Sequence, residues 1–181
     1  MPCFGQWNGQ SNHGTRLTKT LSRLSTMPTY TFHGSERPAR FDAAFFDAES
    51  LRIAQHANLA AREFDHQCIG THHLLFAFAM NEHASPTQIL YSNGITLEFL
   101  RSEFDRLAPR GTPAIIFILP TTKRLWESYL HSIDLRPSST RHVSSQMLFL
   151  GLLAKRETIV DDMLNAAKLS ASHLETLVTN A

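Results

Sequence analysis

The strongest constraint on this chain is a pattern that returns after 74 positions. Ile69-Gly70-Thr71 lines up with Val143-Ser144-Ser145 at that offset. Leu74 then falls on Leu148, Ile89-Leu90 on Met163-Leu164, Ile95 on Leu169, and Leu100 on Leu174. No gap is needed from Ile69 to the end. Chance does not keep so many apolar positions in step, so the chain contains a true internal repeat. Each copy is too small to bury its apolar faces alone. The expectation is two pseudo-symmetric halves that share one core.

Each half reads as four helices. From Asp47 onward, Leu51, Ala54, Asn58 and Ala61 recur at helical spacing, with Ile53, Ala57, Ala60 and Phe64 beside them. Asp47 is placed to cap that helix. Thr71 is the expected cap of a second helix through Leu74, Leu75 and Phe78. Ser85-Pro86 opens a third, which closes at Asn93-Gly94. Thr96 caps a fourth through Leu97, Leu100, Phe104 and Leu107. After a Pro- and Gly-punctuated linker, residues 108–120, the pattern recurs. Thr121 or Thr122 starts a helix that stops before Pro137. Ser144 or Ser145 starts the next, a third carries Val160, Met163 and Leu164, and Ser170 caps the last. The fold class is therefore all-α, with eight helices as two four-helix repeats. Repeat one spans 42–107 and repeat two 121–179. The apolar run Ile115 to Leu119 inside the linker either packs over the core, pairs as a short strand, or forms an exposed patch.

Composition narrows the function. The 181 residues carry 17 basic and 16 acidic side chains, a formal net charge of +1. Nucleic-acid binding calls for a basic excess on one face, and none is evident. No apolar stretch approaches the roughly 18 residues that a membrane span requires. Cys3 and Cys68 form no spacing motif, so a disulfide framework is not expected and a reducing compartment is the default. Residues 1–41 form a tail of different character. From Met1 to Ser35 there is no Asp or Glu, and Arg16, Lys19 and Arg23 are the only charges. It reads as a disordered tail, as an upstream extension of a frame starting at Met27, or as an organelle transit peptide. It lacks the apolar core of a secretory signal. Cytoplasm is the expected location, with an organelle such as the plastid stroma as the alternative.

At Phe64-Asp65-His66-Gln67-Cys68-Ile69-Gly70-Thr71-His72-His73-Leu74-Leu75 the chain resembles the Clp amino-terminal repeat domain. The preceding helix fits back to Phe46, as does Ile89 to Leu100 downstream. Val143 to Leu153 is the weaker second copy. The resemblance covers about residues 42 to 179. It implies a module that docks substrates and adaptor proteins for a Clp-type AAA+ unfoldase. Some members bind phosphorylated arginine through the acid of a Gly-Thr-Glu-His motif in each repeat. Here His72 and Gln146 stand at that acid's positions, and neither supplies a carboxylate for a guanidinium group. There is no Gly-x-x-x-x-Gly-Lys-Ser/Thr sequence, hence no P-loop among these residues. The expected role is a protein-binding accessory or adaptor acting in trans. Its partners would be Clp unfoldase or protease subunits, or their protein substrates.

Carried over by position, the resemblance puts the docking grooves near Phe46, Thr71 and His72, and near Ser145 and Gln146. Capping and packing are the competing roles for each. Trp126 and Tyr129 read as core or as an aromatic contact surface. His66, Cys68, His72 and His73 fall close together, but no His-Glu-x-x-His or paired Cys-x-x-Cys is present. They read as structural, Cys68 as a core thiol, and neither a metal nor another cofactor is expected. His142, Ser144 and Ser145 invite a hydrolase reading. The Gly-x-Ser-x-Gly strand-turn-helix context is missing, so no enzyme activity is expected. An interaction module unrelated to Clp is the second reading, and a weak hydrolase or metal enzyme the third.

Overall fold

The structure, a computed structural model, describes residues 43–112 and 119–181. The tail 1–41 and most of the apolar run Ile115 to Leu119 lie outside those residues. A short 3-10 turn, Ala43–Phe45, leads into eight α-helices. They are α1 (Ala48–Glu63), α2 (Thr71–Ala79), α3 (Ser85–Ser92), α4 (Leu97–Leu107), α5 (Lys123–Asp134), α6 (Ser145–Lys155), α7 (Thr158–Ala166) and α8 (Ala171–Thr179). No strand occurs among the described residues, and none of these helices is long and apolar enough to cross a membrane.

The local signals act where the sequence places them, with two shifts. Asp47 accepts the Ser50 N–H at 2.7 Å and caps α1. Thr96, Thr122, Ser144 and Ser170 cap α4, α5, α6 and α8 through the N–H groups of Phe99, Leu125, Met147 and His173. Thr71 is not a cap. It is the first helical residue of α2, and Gly70 occupies the cap position with no side chain to offer. Likewise Ala84 precedes α3, so Ser85 and Pro86 both lie inside its first turn. Gly94 closes α3 with φ +82°, and Lys168, its counterpart at offset 74, closes α7 with φ +59°. Both are left-handed turns, which glycine adopts without strain and lysine does not.

The centre of the fold is the pair α2 and α6. Every residue of α2 except His72 is buried, including Leu74, Leu75, Phe76 and Phe78. At about 1.5–3 kcal/mol per side chain, those four contribute roughly 6–12 kcal/mol of gross burial. A nine-residue helix has no stability of its own, so this packing is what holds it. Phe78 meets Phe149 of α6 edge to face, with ring centroids 4.9 Å apart. In repeat two, α5 presses onto the backbone of α6 at Gly151. A Cβ there would come within 2.5 Å of the Ser128 carbonyl oxygen and closer still to the Ser132 hydroxyl.

The halves exchange short backbone contacts. Phe46 pairs in parallel with Val143, through Asp47 N–H to Val143 C=O (3.1 Å) and Val143 N–H to Phe45 C=O (2.6 Å). Ile69 pairs in parallel with Thr121, through Ile69 N–H to Pro120 C=O and Thr122 N–H to Ile69 C=O, both 2.8 Å. The segment entering the first helix of each repeat thus pairs with the segment entering the second helix of the other. This is the pseudo-twofold exchange that the repeat calls for. It holds the end of the linker against the core, where Leu119 is fully buried.

Candidate functional site

The two halves differ most at the entry to their second helices. In repeat two, Ser144 caps α6 itself. In repeat one, Gly70 cannot, and Glu157 from repeat two does the work. Its Oε2 accepts the Thr71 N–H at 3.0 Å and the Thr71 hydroxyl at 3.1 Å. The Thr71 hydroxyl in turn accepts the Glu157 N–H at 2.9 Å. His72 Nδ1 lies 3.1 Å from the same Oε2. Gly70 makes room for this clasp, because a Cβ at that position would lie 2.6 Å from Glu157 Oε2 and 2.6 Å from His72 Cε1.

The carboxylate sits where negative charge is favoured, at the positive end of a helix. Burial alone would push the Glu157 pKa up. Hydrogen bonds from His72 and Thr122, the electrostatic pull of His72 and the Thr71 backbone N–H outweigh it and hold the group at about 2. Sequence reasoning left the first repeat without an acid at its Gly-Thr-His-His turn. The structure supplies one from the other repeat. The only trace of it in the sequence is the uncapped Gly70 opposite the capping Ser144.

Behind the clasp three imidazoles converge. The Gly70 N–H donates to His73 Nδ1 at 2.9 Å, so His73 carries its proton on Nε2. That proton points at His66 Nδ1, 2.7 Å away. His66 then carries its own proton on Nε2 and donates to the Ala108 carbonyl at 3.2 Å. His72 packs on His73 with ring centroids 4.0 Å apart, and the Phe104 ring backs all three. Burial, with His72 and His66 beside it, holds the His73 pKa well below the usual value. Burial and then His72 lower His66, against the pull of the Ala108 and Pro109 carbonyls and of Asp65. One nitrogen of each ring lies within 4.8 Å of one nitrogen of the other two. In the sequence these three group with Cys68 and read as structural, because no metal-ligand spacing motif links them.

The profile of the Clp repeat (R) N-terminal domain matches residues 46–167. The chain belongs to this family. Among curated relatives it is similar to the chaperone protein ClpC2 of rice chloroplasts, 24% identical over 175 residues, covering 93% of this chain and 19% of the relative. The pea chloroplast ClpC is 26% identical over 194 residues, covering 97% and 21%. The chain therefore spans about a fifth of these relatives' length. The N-terminal domain of ClpD from Arabidopsis thaliana superposes with a TM-score of 0.63 at 11% identity, covering 75% of this chain and 93% of that one. The ClpV N-domain in complex with a VipB peptide gives 0.56 at 16% identity, covering 78% and 92%. These likenesses carry the fold: a double Clp repeat.

Within the Clp repeats, the five residues expected at docking grooves divide sharply. Phe46 is 3% exposed, bridged to Val143 and edge-on to Tyr129. Thr71 is fully buried in the clasp, and Ser145 is 5% exposed. These three are enclosed, in the packing and capping roles that compete with docking at each position. His72 and Gln146, equivalent at offset 74, are half-buried and reach solvent. Tyr129 is core, whereas Trp126 is half-buried. Cys68 is half-buried on the α1–α2 connection and is not a free thiol, which corrects the reading of a core thiol. Ser144 is occupied as a cap and Ser145 is enclosed, so neither is presented as a nucleophile.

Proposed function

We propose that this Clp repeat domain is a non-catalytic docking module that binds protein segments, and that it acts in trans as an accessory or adaptor of Clp-type proteolysis. The observation that carries the reading is the double repeat itself, superposable on Clp N-domains, one of them solved with a peptide bound. The surface positions we assign to docking are His72 and Gln146, one in each repeat. Phe46, Thr71 and Ser145 are buried beside the helix entries and hold them in place. Its partners on this reading are Clp unfoldase or protease subunits, or their clients. The chloroplast relatives are consistent with the plastid alternative to a cytoplasmic location.

The test is affinity purification of the full chain from an extract of its source cell, followed by mass spectrometry. The expected result is recovery of a Clp unfoldase or protease subunit, lost on Gln146→Arg with the fold intact by circular dichroism. A folded chain that recovers no Clp subunit overturns the role in trans and leaves an interaction module unrelated to Clp proteolysis.

A further inference from the structure

We infer that His66, His72 and His73 form a binding site for a borderline divalent metal ion of the zinc class. The geometry comes first. A tetrahedral zinc with bonds of 2.0–2.1 Å holds its nitrogens about 3.3 Å apart. His66 Nδ1 and His73 Nε2 are already 2.7 Å apart, and one nitrogen of each ring lies within 4.8 Å of one nitrogen of the other two. An ion seated among them needs shifts of an ångström or so, within reach of side-chain rotation. Three imidazoles select zinc and its transition-metal neighbours over magnesium or calcium, which take oxygen ligands.

The outer contacts of His66 and His72 point the same way. A metal-bound histidine commonly donates its other N–H to a carboxylate or a carbonyl, which fixes the ring and its tautomer. His66 directs Nε2–H at the Ala108 carbonyl, which leaves Nδ1 as the ligand atom. His72 directs Nδ1–H at the Glu157 carboxylate, which leaves Nε2 as the ligand atom. Glu157 also places a negative charge one ring away from the ion. His66 and His72 reach solvent and offer an entry path, while His73 is 1% exposed and forms the floor. Phe104 closes the apolar side.

His73 is the ligand that must change. With Nδ1 accepting from Gly70, its Nε2 proton fills the place of the ion and donates to His66. Metal binding replaces that N–H···N bond by two metal–nitrogen bonds. The His73 proton moves from Nε2 to Nδ1, so none is lost overall, and this requires the Gly70 turn to shift so that its N–H no longer faces that nitrogen. The fourth coordination position is left to water. The site is thus reversibly loaded rather than a permanently closed structural zinc. When filled, it ties the α1–α2 connection to the first turn of α2.

The test uses the full chain stripped with a chelator and titrated with zinc chloride by calorimetry, with cobalt(II) absorption as the check on geometry. The expected result is one ion per chain and tetrahedral cobalt bands. His66→Ala should abolish both. Glu157→Gln should weaken zinc roughly 10- to 100-fold by exchanging the carboxylate behind the His72 ring for a neutral amide. His173→Ala, on the exposed face of α8, should leave binding unchanged. Absence of stoichiometric binding overturns the site, and so does zinc affinity unaltered in a folded His66→Ala. If His66→Ala does not fold, unaltered affinity in Glu157→Gln overturns it.

Discussion

Replacing Glu157 by glutamine removes one charge and little else, since the amide oxygen still accepts the Thr71 N–H. The pKa of the carboxyl falls from an ordinary 4.5 to about 2 in the folded chain. At about 1.36 kcal/mol per pKa unit, its ionised form contributes at most about 3 kcal/mol of stability at neutral pH. The sign follows from the depressed value. The contribution is complete above pH 4.5, where even the unfolded chain is ionised. It declines as pH falls through the window from 4.5 to 2, to roughly half at pH 3, and is gone below. Urea unfolding of both proteins in chelator-containing buffer, followed by circular dichroism at pH 7, 5, 4 and 3, measures this directly. The comparison cancels the other carboxyls, which titrate alike in both chains. The expected result is a gap of between about 1 and 3 kcal/mol at pH 7 that narrows by about half at pH 3. A gap under about 1 kcal/mol at pH 7, or one that does not change with pH, refutes the claim that this carboxylate clasps the two repeats.

Three further outcomes follow from the same symmetry. Gly70→Ser should destabilise the native chain by about 1–2 kcal/mol, because the new side chain displaces Glu157. In a Glu157→Ala background it should cost nothing or stabilise, since a serine can then cap α2 as Ser144 caps α6; a double-mutant cycle by urea unfolding reads the coupling. Gly151→Ala should cost about 3 kcal/mol through collision with the Ser128 carbonyl, seen as a thermal midpoint several degrees lower. Lys168→Gly should raise stability by about 0.5–1 kcal/mol by relieving a left-handed lysine, and an unchanged midpoint would show that the turn carries no strain.

The architecture was legible because it rests on signals that act locally. Asp47, Thr96, Thr122 and Ser170 cap their helices with their own side chains. The apolar positions Leu74, Leu90 and Leu100 are buried together with Leu148, Leu164 and Leu174. A fixed offset between such positions is enough to infer a shared core. Thr71 was misread as a cap for the same reason. A threonine at a helix start is locally a good cap, and only the approach of Glu157 from 86 residues away gives its hydroxyl another partner.

The site was less legible because it lies where the two repeats depart from each other. Repetition predicts that what caps α6 also caps α2. The chain breaks that rule with Gly70, and the gap is filled by an acid with no motif around it. The histidine triad has the same origin. His66, His72 and His73 correspond at offset 74 to Thr140, Gln146 and Met147, none of which could build a comparable cluster. The common core is therefore a product of the repeat, whereas the chemistry is particular to repeat one. Burial of Phe46, Thr71 and Ser145 follows from the same division. Phe46 lies in the pseudo-twofold exchange, and Thr71 and Ser145 open the helices that follow its other paired segments, where a contact surface and a structural joint cannot both be served by one side chain. The variable, half-exposed position beside each joint, His72 in one repeat and Gln146 in the other, is where such a fold can change what it binds without losing the core.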